Sequence, residues 1–277
     1  MHKATSNVYV NLWTREQATL RGCNSSFVAT SGGVVVIDTP QMPTDAIKWR
    51  DEIAKKGEAR YIINTEHHPD HITGNFFIPG TVVSSQIVKA MFSSMLKIPG
   101  IQAMVKDKDP EGIPLMENYQ ARPPTITFSD RLTLYLGEHS FELIRMPGHT
   151  EGQVGVFVPQ EKVMFTGDNF ANGWQPSMNF SCPLEWIESL KKIEAMEVQV
   201  VVPGHGEIGD KKSVRIFREF IQECVDTVRK AISQGMSQEE AAARITFEIE
   251  KYPPALHSGP QWQRRNVLRL YEMLSKQ

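Results

Sequence analysis

Tyr61-Ile62-Ile63-Asn64-Thr65-Glu66-His67-His68-Pro69-Asp70-His71 decides how the rest of this 277-residue chain reads. An apolar run of strand type, Arg60–Asn64, stops at a polar break, and five side chains able to hold a metal ion follow at once. Three later windows repeat that grammar. Leu143–Met146 leads into Pro147-Gly148-His149-Thr150, Val163–Thr166 into Gly167-Asp168, and Val200–Val202 into Pro203-Gly204-His205-Gly206. In layered α/β folds, ligands gather where strands end. Four such ends bearing Glu, His and Asp are therefore expected on one rim. A lone His after Pro-Gly is more often a turn residue than a ligand; the four windows together, in this order, argue against coincidence. Imidazole with carboxylate suits zinc, iron or manganese, and the flanking glycines let backbone approach closely.

Outward from these windows, strand-like runs recur at Asn7–Leu12, Ser26–Thr30, Val34–Asp38, Thr81–Ser84, Ile126–Phe128, Arg131–Leu136, Phe141–Met146, Val154–Val158, Lys162–Thr166 and Val198–Val202. Helical pattern occupies Thr44–Lys56 and Pro183–Met196. Strands alternating with helices predict an α/β fold of stacked layers. Residues 88–125 differ: Met91, Met95, Met104 and Met116 lie among Pro and Gly breaks, with little strand signal. Such an insertion suits an adaptable cover over a cleft, or simply packs on the core. From Lys211 the chain reads helical over Ser213–Gln234, Ser237–Ile249 and Gln263–Lys276, with a capping box at Ser237 and Glu240. We expect residues 1–210 to form the catalytic core and residues 211–277 a helical C-terminal extension of the same domain.

A formal net charge of −2 gives no broad electrostatic footprint for nucleic acid. No apolar run approaches the roughly 18 residues that span a bilayer, and no secretory h-region is visible at Met1–Leu12. Three scattered cysteines, Cys23, Cys182 and Cys224, make no disulfide framework and fit a reducing, cytoplasmic setting. The expected partner is a small-molecule substrate, with neither nucleic acid nor membrane; the helical tail could mediate a homodimer or cap the core. Of the eight histidines, His2, His139 and His257 look incidental. Trp174 follows Asp168 closely enough to be a substrate wall or a packing residue, and Lys251–Pro260 with Trp262 could fold back over the cleft.

The four windows resemble the metallo-β-lactamase fold superfamily, whose hallmark is His-x-His-x-Asp-His followed by a separate His, an Asp and a final His. The resemblance spans roughly residues 7–210. It implies a four-layer αββα sandwich with two divalent metal ions at one rim, zinc foremost. The first ion would be held by position 66, His68 and His149, the second by Asp70, His71 and His205, with Asp168 bridging both. It also implies a metal-dependent hydrolase in which a shared hydroxide attacks an ester, lactone or related centre, with Asp70 orienting the water or shuttling its proton. The aspartate at 168 resembles the glyoxalase-like, lactonase-like and phosphodiesterase-like branches more than true β-lactamases. The Met-rich insert and nearby aromatics lean toward a small, partly apolar substrate.

One position departs from the hallmark: Glu66 stands where the family usually has histidine. Glu66 ligates through oxygen, or acts from outside the ligand set, or yields its place to His67; period-2 alternation points His67 away from Glu66 and His68. With Glu66, Asp70 and Asp168 as ligands, three negative charges and a hydroxide would balance two divalent ions. That neutral centre is a weaker Lewis acid and shifts preference toward manganese or iron. The departure also leaves a diiron oxidoreductase or oxygenase of the same fold as the alternative, although flavo-diiron enzymes place their Glu at the position of His68 and carry a flavodoxin partner domain.

Overall fold

The β-branched runs that read as strands assemble into two sheets. A computed structural model of the chain describes residues 1–13, 21–247, 252 and 260–276. The first sheet holds, side by side in chain order, β1 (His2–Lys3), β2 (Val8–Asn11), β3 (Ser25–Thr30), β4 (Gly33–Ile37), β5 (Ala59–Ile63), β6 (Thr81–Ser85) and β7 (Ile126–Phe128). Pairing is antiparallel as far as β4 and parallel from β4 to β7. Then come β8 (Arg131–Leu136), β9 (His139–Arg145), β10 (Val154–Val158), β11 (Val163–Phe165), β12 (Ala171–Asn172), β13 (Val200–Val202) and β14 (His205–Gly206). The second sheet has the order β13-β11-β10-β9-β8, and β12 pairs with β14 in a small parallel ribbon. Because β9 and β10, and β10 and β11, are antiparallel while β11 and β13 are parallel, β9, β11 and β13 all run one way.

Eight α-helices are described: α1 (Pro43–Ala54), α2 (Pro69–Ile72), α3 (Gln86–Met95), α4 (Ile98–Lys108), α5 (Pro183–Ala195), α6 (Lys211–Ser233), α7 (Gln238–Arg244) and α8 (Pro260–Leu274). The sheets meet through an all-apolar layer in which Val8, Val28, Val35, Ile63 and Val83 face Phe141, Leu143, Val154, Val156 and Phe165. Trp49 and Ile53 of α1 cover the outer face of the first sheet beside Phe27, Val36 and Ile62. On the other side, Trp186 and Leu190 of α5 and Phe217, Ile221 and Val225 of α6 cover the second sheet, with Val267 and Leu270 of α8 in the same cluster. The order is helix, sheet, sheet, helix, with helices continuing to the C-terminus. Burial of these side chains, worth about 1.5–3 kcal/mol each, is what fixes the layers.

Several expectations shift in detail. Residues 88–125, read as broken by Pro and Gly, carry most of α3 and all of α4; Pro99 sits in the first turn of α4, where its missing N–H costs nothing. The strand expected over Val198–Val202 begins only at Val200. The helix expected over Ser237–Ile249 ends at Arg244, with residues 248–250 outside the described residues. Its capping box is present, Ser237 and Glu240 satisfying each other's backbone N–H. His139 is not incidental. It is buried, and its Nε2 lies 3.0 Å from Glu161 Oε1, an oxygen that also accepts from Asn7 Nδ2 at 2.7 Å. That knot ties the first sheet's N-terminal edge to the β10–β11 turn.

Candidate metal centre

Each proposed ligand sits just beyond a strand. Glu66 and His68 follow β5 and Asp70 and His71 lie in α2; His149 follows β9, Asp168 follows β11, and His205 lies in β14 after β13. Two clusters result, Glu66 with His68 and His149, and Asp70 with His71, Asp168 and His205. In the first, His149 Nε2 is 3.3 Å from His68 Nδ1 and 3.8 Å from Glu66 Oε2, and Glu66 Oε2 also touches His68 Nδ1. In the second, His205 Nε2 lies 3.2 Å from Asp70 Oδ2 and 3.4 Å from Asp168 Oδ2, and His71 Nε2 lies 3.2 Å from Asp168 Oδ1. Asp168 also reaches the first cluster, its Oδ2 being 3.7 Å from His149 Nε2.

These separations fit metal ions. Ligand atoms about 2.1 Å from a tetrahedral ion stand ~3.4 Å from one another. The burial is as telling. Both oxygens of Glu66, Nε2 of His71 and Oδ1 of Asp168 are buried and meet only other candidate ligands, Glu66 Oε2 at His68 and His71 Nε2 at Asp168 Oδ1. A buried carboxylate is costly unless positive charge lies beside it, and Glu66 is ringed by His68, His149 and His71. Of the three readings of position 66, its carboxylate lies inside the first cluster, whereas His67 belongs to neither. His67 packs its ring 5.0 Å from that of His68, and burial pushes its pKa down to about 4.

Charge sets which of these groups carry protons. Burial works against protonation of His205, but the Asp168 and Asp70 carboxylates push its pKa up to about 10. Burial also opposes a charged His71, yet the carboxylates of Asp168, Asp38 and Asp70 around it hold its pKa well above the ordinary range. Burial opposes ionisation of Asp168, and His205 and His71 overcome it, holding that carboxyl well below its usual value. His149 is lowered, burial outweighing its acidic neighbours. His71 and His205 are therefore protonated near neutral pH, each facing the Asp168 carboxylate.

Supporting residues escaped the sequence reading. Asp38, just past β4 with a left-handed φ of 54°, accepts from Thr65 N at 2.8 Å and Thr65 Oγ1 at 2.6 Å, and its Oδ2 lies 2.9 Å from His71 Nδ1. An Nδ1–H given to Asp38 leaves Nε2 as the lone pair that faces the cluster. Cys23 shares this rear side of His71, and burial pushes its thiol up to about 12, so it stays neutral. Asn169 accepts from His149 N at 2.8 Å and donates to Met146 O at 2.6 Å, fixing the His149 turn. Asn24 donates to Pro203 O at 3.0 Å and Gly206 O at 2.8 Å, bracketing His205. The strand-then-acid grammar at Val34–Asp38 was a signal for the first; nothing local marked the asparagines. Asn75 and Gly74 brace the turn as structural residues: Asn75 exchanges hydrogen bonds with Asn64, and a Cβ on Gly74 would meet Pro40 O at 2.3 Å.

A cavity of about 480 Å³ opens over the clusters, touching His68, Asp70, His149, Asp168 and His205. Its other walls include Trp13, Met104, Trp174, Phe180 and Trp262. Met104 comes from the 88–125 insertion; of the segment expected to fold over the cleft, Lys251 and residues 253–259, His257 among them, lie outside the described residues.

Residues 18–205 match the metallo-beta-lactamase superfamily. The chain belongs to that family. It is 25% identical over 232 residues to the "Metallo-beta-lactamase type 2" of Elizabethkingia meningoseptica, covering 80% of this chain and 85% of that protein. It is 30% identical over 172 residues to the "Hydroxyacylglutathione hydrolase" of Brucella anthropi, covering 59% of this chain and 56% of that protein. A metallo-beta-lactamase family protein from Thermus thermophilus has a similar fold, with a TM-score of 0.68 at 16% identity over 98% of this chain and 93% of that one. The relatives are hydrolases, and this superfamily member is a metal-dependent hydrolase.

Proposed function

We propose that the chain uses two divalent ions to hydrolyse the ester, lactone or related bond of a small, partly apolar molecule. The observation that carries this reading is the place of Asp168, with one oxygen at His71 and the other within 3.4 Å of His205 and 3.7 Å of His149. Glu66, His68 and His149 would hold one ion, Asp70, His71 and His205 the other, and Asp168 both. Bound there, the ions supply Lewis acidity and an acidified water. Asp70 lines the cavity with Oδ2 beside His205, the position from which a carboxylate orients attacking water and takes up its proton. Asp38 fixes the tautomer of His71. The carboxylate at position 66 adds negative charge to the first site, which favours manganese or iron there relative to an all-His site, with zinc the general expectation of the fold. Asp168 also supports the lactonase-like and glyoxalase-like side of the family.

The test is metal analysis of the purified protein, followed by turnover of lactones, aryl esters, thioesters, phosphodiesters and β-lactams under anaerobic conditions. Two ions per chain with ester or lactone turnover support the reading. Activity confined to phosphodiesters overturns the substrate class, and iron with oxygen consumption but no hydrolysis overturns the reaction.

A further inference from the structure

The loop over residues 173–181 carries two aromatic side chains that flank the two clusters. The Phe180 ring lies 5.6 Å from that of His68, and the Trp174 ring 6.0 Å from that of His205. Phe180 is 45% exposed, one of few large apolar side chains left open to solvent among the described residues, and it is open beside the candidate metal ligands. Its ring joins that of Trp174 in the wall of the cavity over the clusters.

Among the described residues the loop pairs with no strand, and side chains from the tail hold its main chain. Asn266 of α8, itself buried, accepts from Met178 N at 2.8 Å and donates to Pro176 O at 3.0 Å. Its amide thus closes both hydrogen bonds that a neighbouring strand would have offered. Arg269 donates to Ser181 O at 3.1 Å, and Gln175 reaches out to Tyr252 O at 2.9 Å and to Phe247 O. The wall is preset rather than waiting to be ordered by ligand. It is also uncharged. Among the described lining residues away from the clusters, the cation is Arg21, whose guanidinium is taken up by Asp45 at 3.0 Å and by Lys108 O.

We propose that residues 173–181, positioned by Asn266, form the specificity subsite of this enzyme, and that it takes an uncharged alkyl or aryl group next to the scissile bond. Phe180 and Trp174 contact that group, and Asn266 is a positioning residue. The proposal rests on the hydrolase reading for its kinetic test but not for its binding test.

The experiment uses the metal-loaded full chain with p-nitrophenyl acetate, butyrate, hexanoate and the acidic adipate monoester, alongside N-phenyl-1-naphthylamine as a fluorescent neutral ligand. For the native protein kcat/KM should rise with acyl length, by up to roughly fourfold per methylene, and fall for the adipate monoester. Asn266→Ala and Phe180→Ala should each flatten the series, chiefly through KM for hexanoate, and weaken the fluorescent ligand about tenfold, with metal content unchanged; Asn266→Asp, whose second oxygen would face the Pro176 carbonyl instead of donating to it, should weaken the ligand as well. Phe180 is exposed, so its replacement keeps the test available if Asn266→Ala does not fold. An equal length dependence in native and variant proteins, or a preference for the adipate monoester, overturns the proposal. So does absence of fluorescent-ligand binding. If no ester is cleaved but the ligand binds and both variants weaken it, the subsite stands and the hydrolytic reading falls.

Discussion

Gly204→Ala tests whether Asp168 is placed by the fold to serve metal ions. A Cβ on Gly204 would lie 1.9 Å from Asp168 Oδ1, 2.8 Å from the Gly167 carbonyl carbon and 2.9 Å from Asp168 N. Real side chains do not approach below 3.0 Å, so the carboxylate or the loop must retreat by at least about 1.1 Å. The loop is poorly placed to yield. Gly204 N donates to Gly167 O at 2.8 Å and Gly204 O accepts from Asn24 N at 2.7 Å, clamping the residue on both sides. Metal–ligand bonds tolerate about 0.2 Å, so the displacement should detach Asp168. Loss of residues that merely support ligands costs 10–100-fold in affinity; loss of a shared ligand should cost at least that, or ~1.4–2.7 kcal/mol per ion. Titration calorimetry with zinc and manganese, with metal analysis after dialysis, reads the change directly. The apparent melting temperature should also lose its dependence on added metal. Gly100→Ala in α4, where a new Cβ meets nothing within 4 Å, is the control. If Gly204→Ala keeps two ions at native affinity, Asp168 does not serve both sites as described.

Further outcomes follow from the same geometry. Glu66→His should raise zinc retention and move the pH optimum; unchanged metal content and pH profile would remove Glu66 from the ligand set. Asp38→Asn should weaken ion binding about 10–100-fold, because an amide has one accepting oxygen and its NH2 would face a donor of Thr65 or His71; equal binding isotherms would dismiss its role. Ion binding must expel the protons held on His71 and His205, so affinity should rise with pH up to about 10, where His205 loses its own. Calorimetry in buffers of different ionisation enthalpy counts those protons, and a zero count refutes it. Burial opposes ionisation of Glu161, yet hydrogen bonds from Thr5, His139 and Asn7 hold its pKa below the usual range. Its folded-state value being depressed, its contribution is present above about pH 4.3, the unfolded value, and fades as pH falls through the folded one. Glu161→Gln should therefore lower stability near neutrality and converge with the native protein in acid; a constant difference across that range contradicts the assignment.

The sequence exposed what has a local signature. The candidate ligands directly after β5, β9, β11 and β13 were visible because a strand's apolar run and the polar residue ending it are contiguous. The supporting residues had no such marker. Asn24 acts on Pro203 and Gly206, and Asp38 on Thr65 and His71, across chain separations that only the folded sheets close. Pro99 misled for a physical reason: the same ring that breaks a helix interior is favoured in its first turn, and composition alone does not say which turn it occupies. The ribbon of β12 and β14 is two residues long on each side, too short for any alternation to show. The hold of Asn266 on Pro176 and Met178 was invisible because a side-chain amide gripping main chain leaves no periodicity in either segment.

That grip separates two properties usually entangled in one pocket. The proposed ion ligands hang from loops of the sandwich, whereas the aromatic wall hangs from α8. Sequence drift in the tail can therefore retune what fits against Phe180 and Trp174 while the loops around Asp168 stay as they are. A lineage built this way could change its diet without relearning its chemistry.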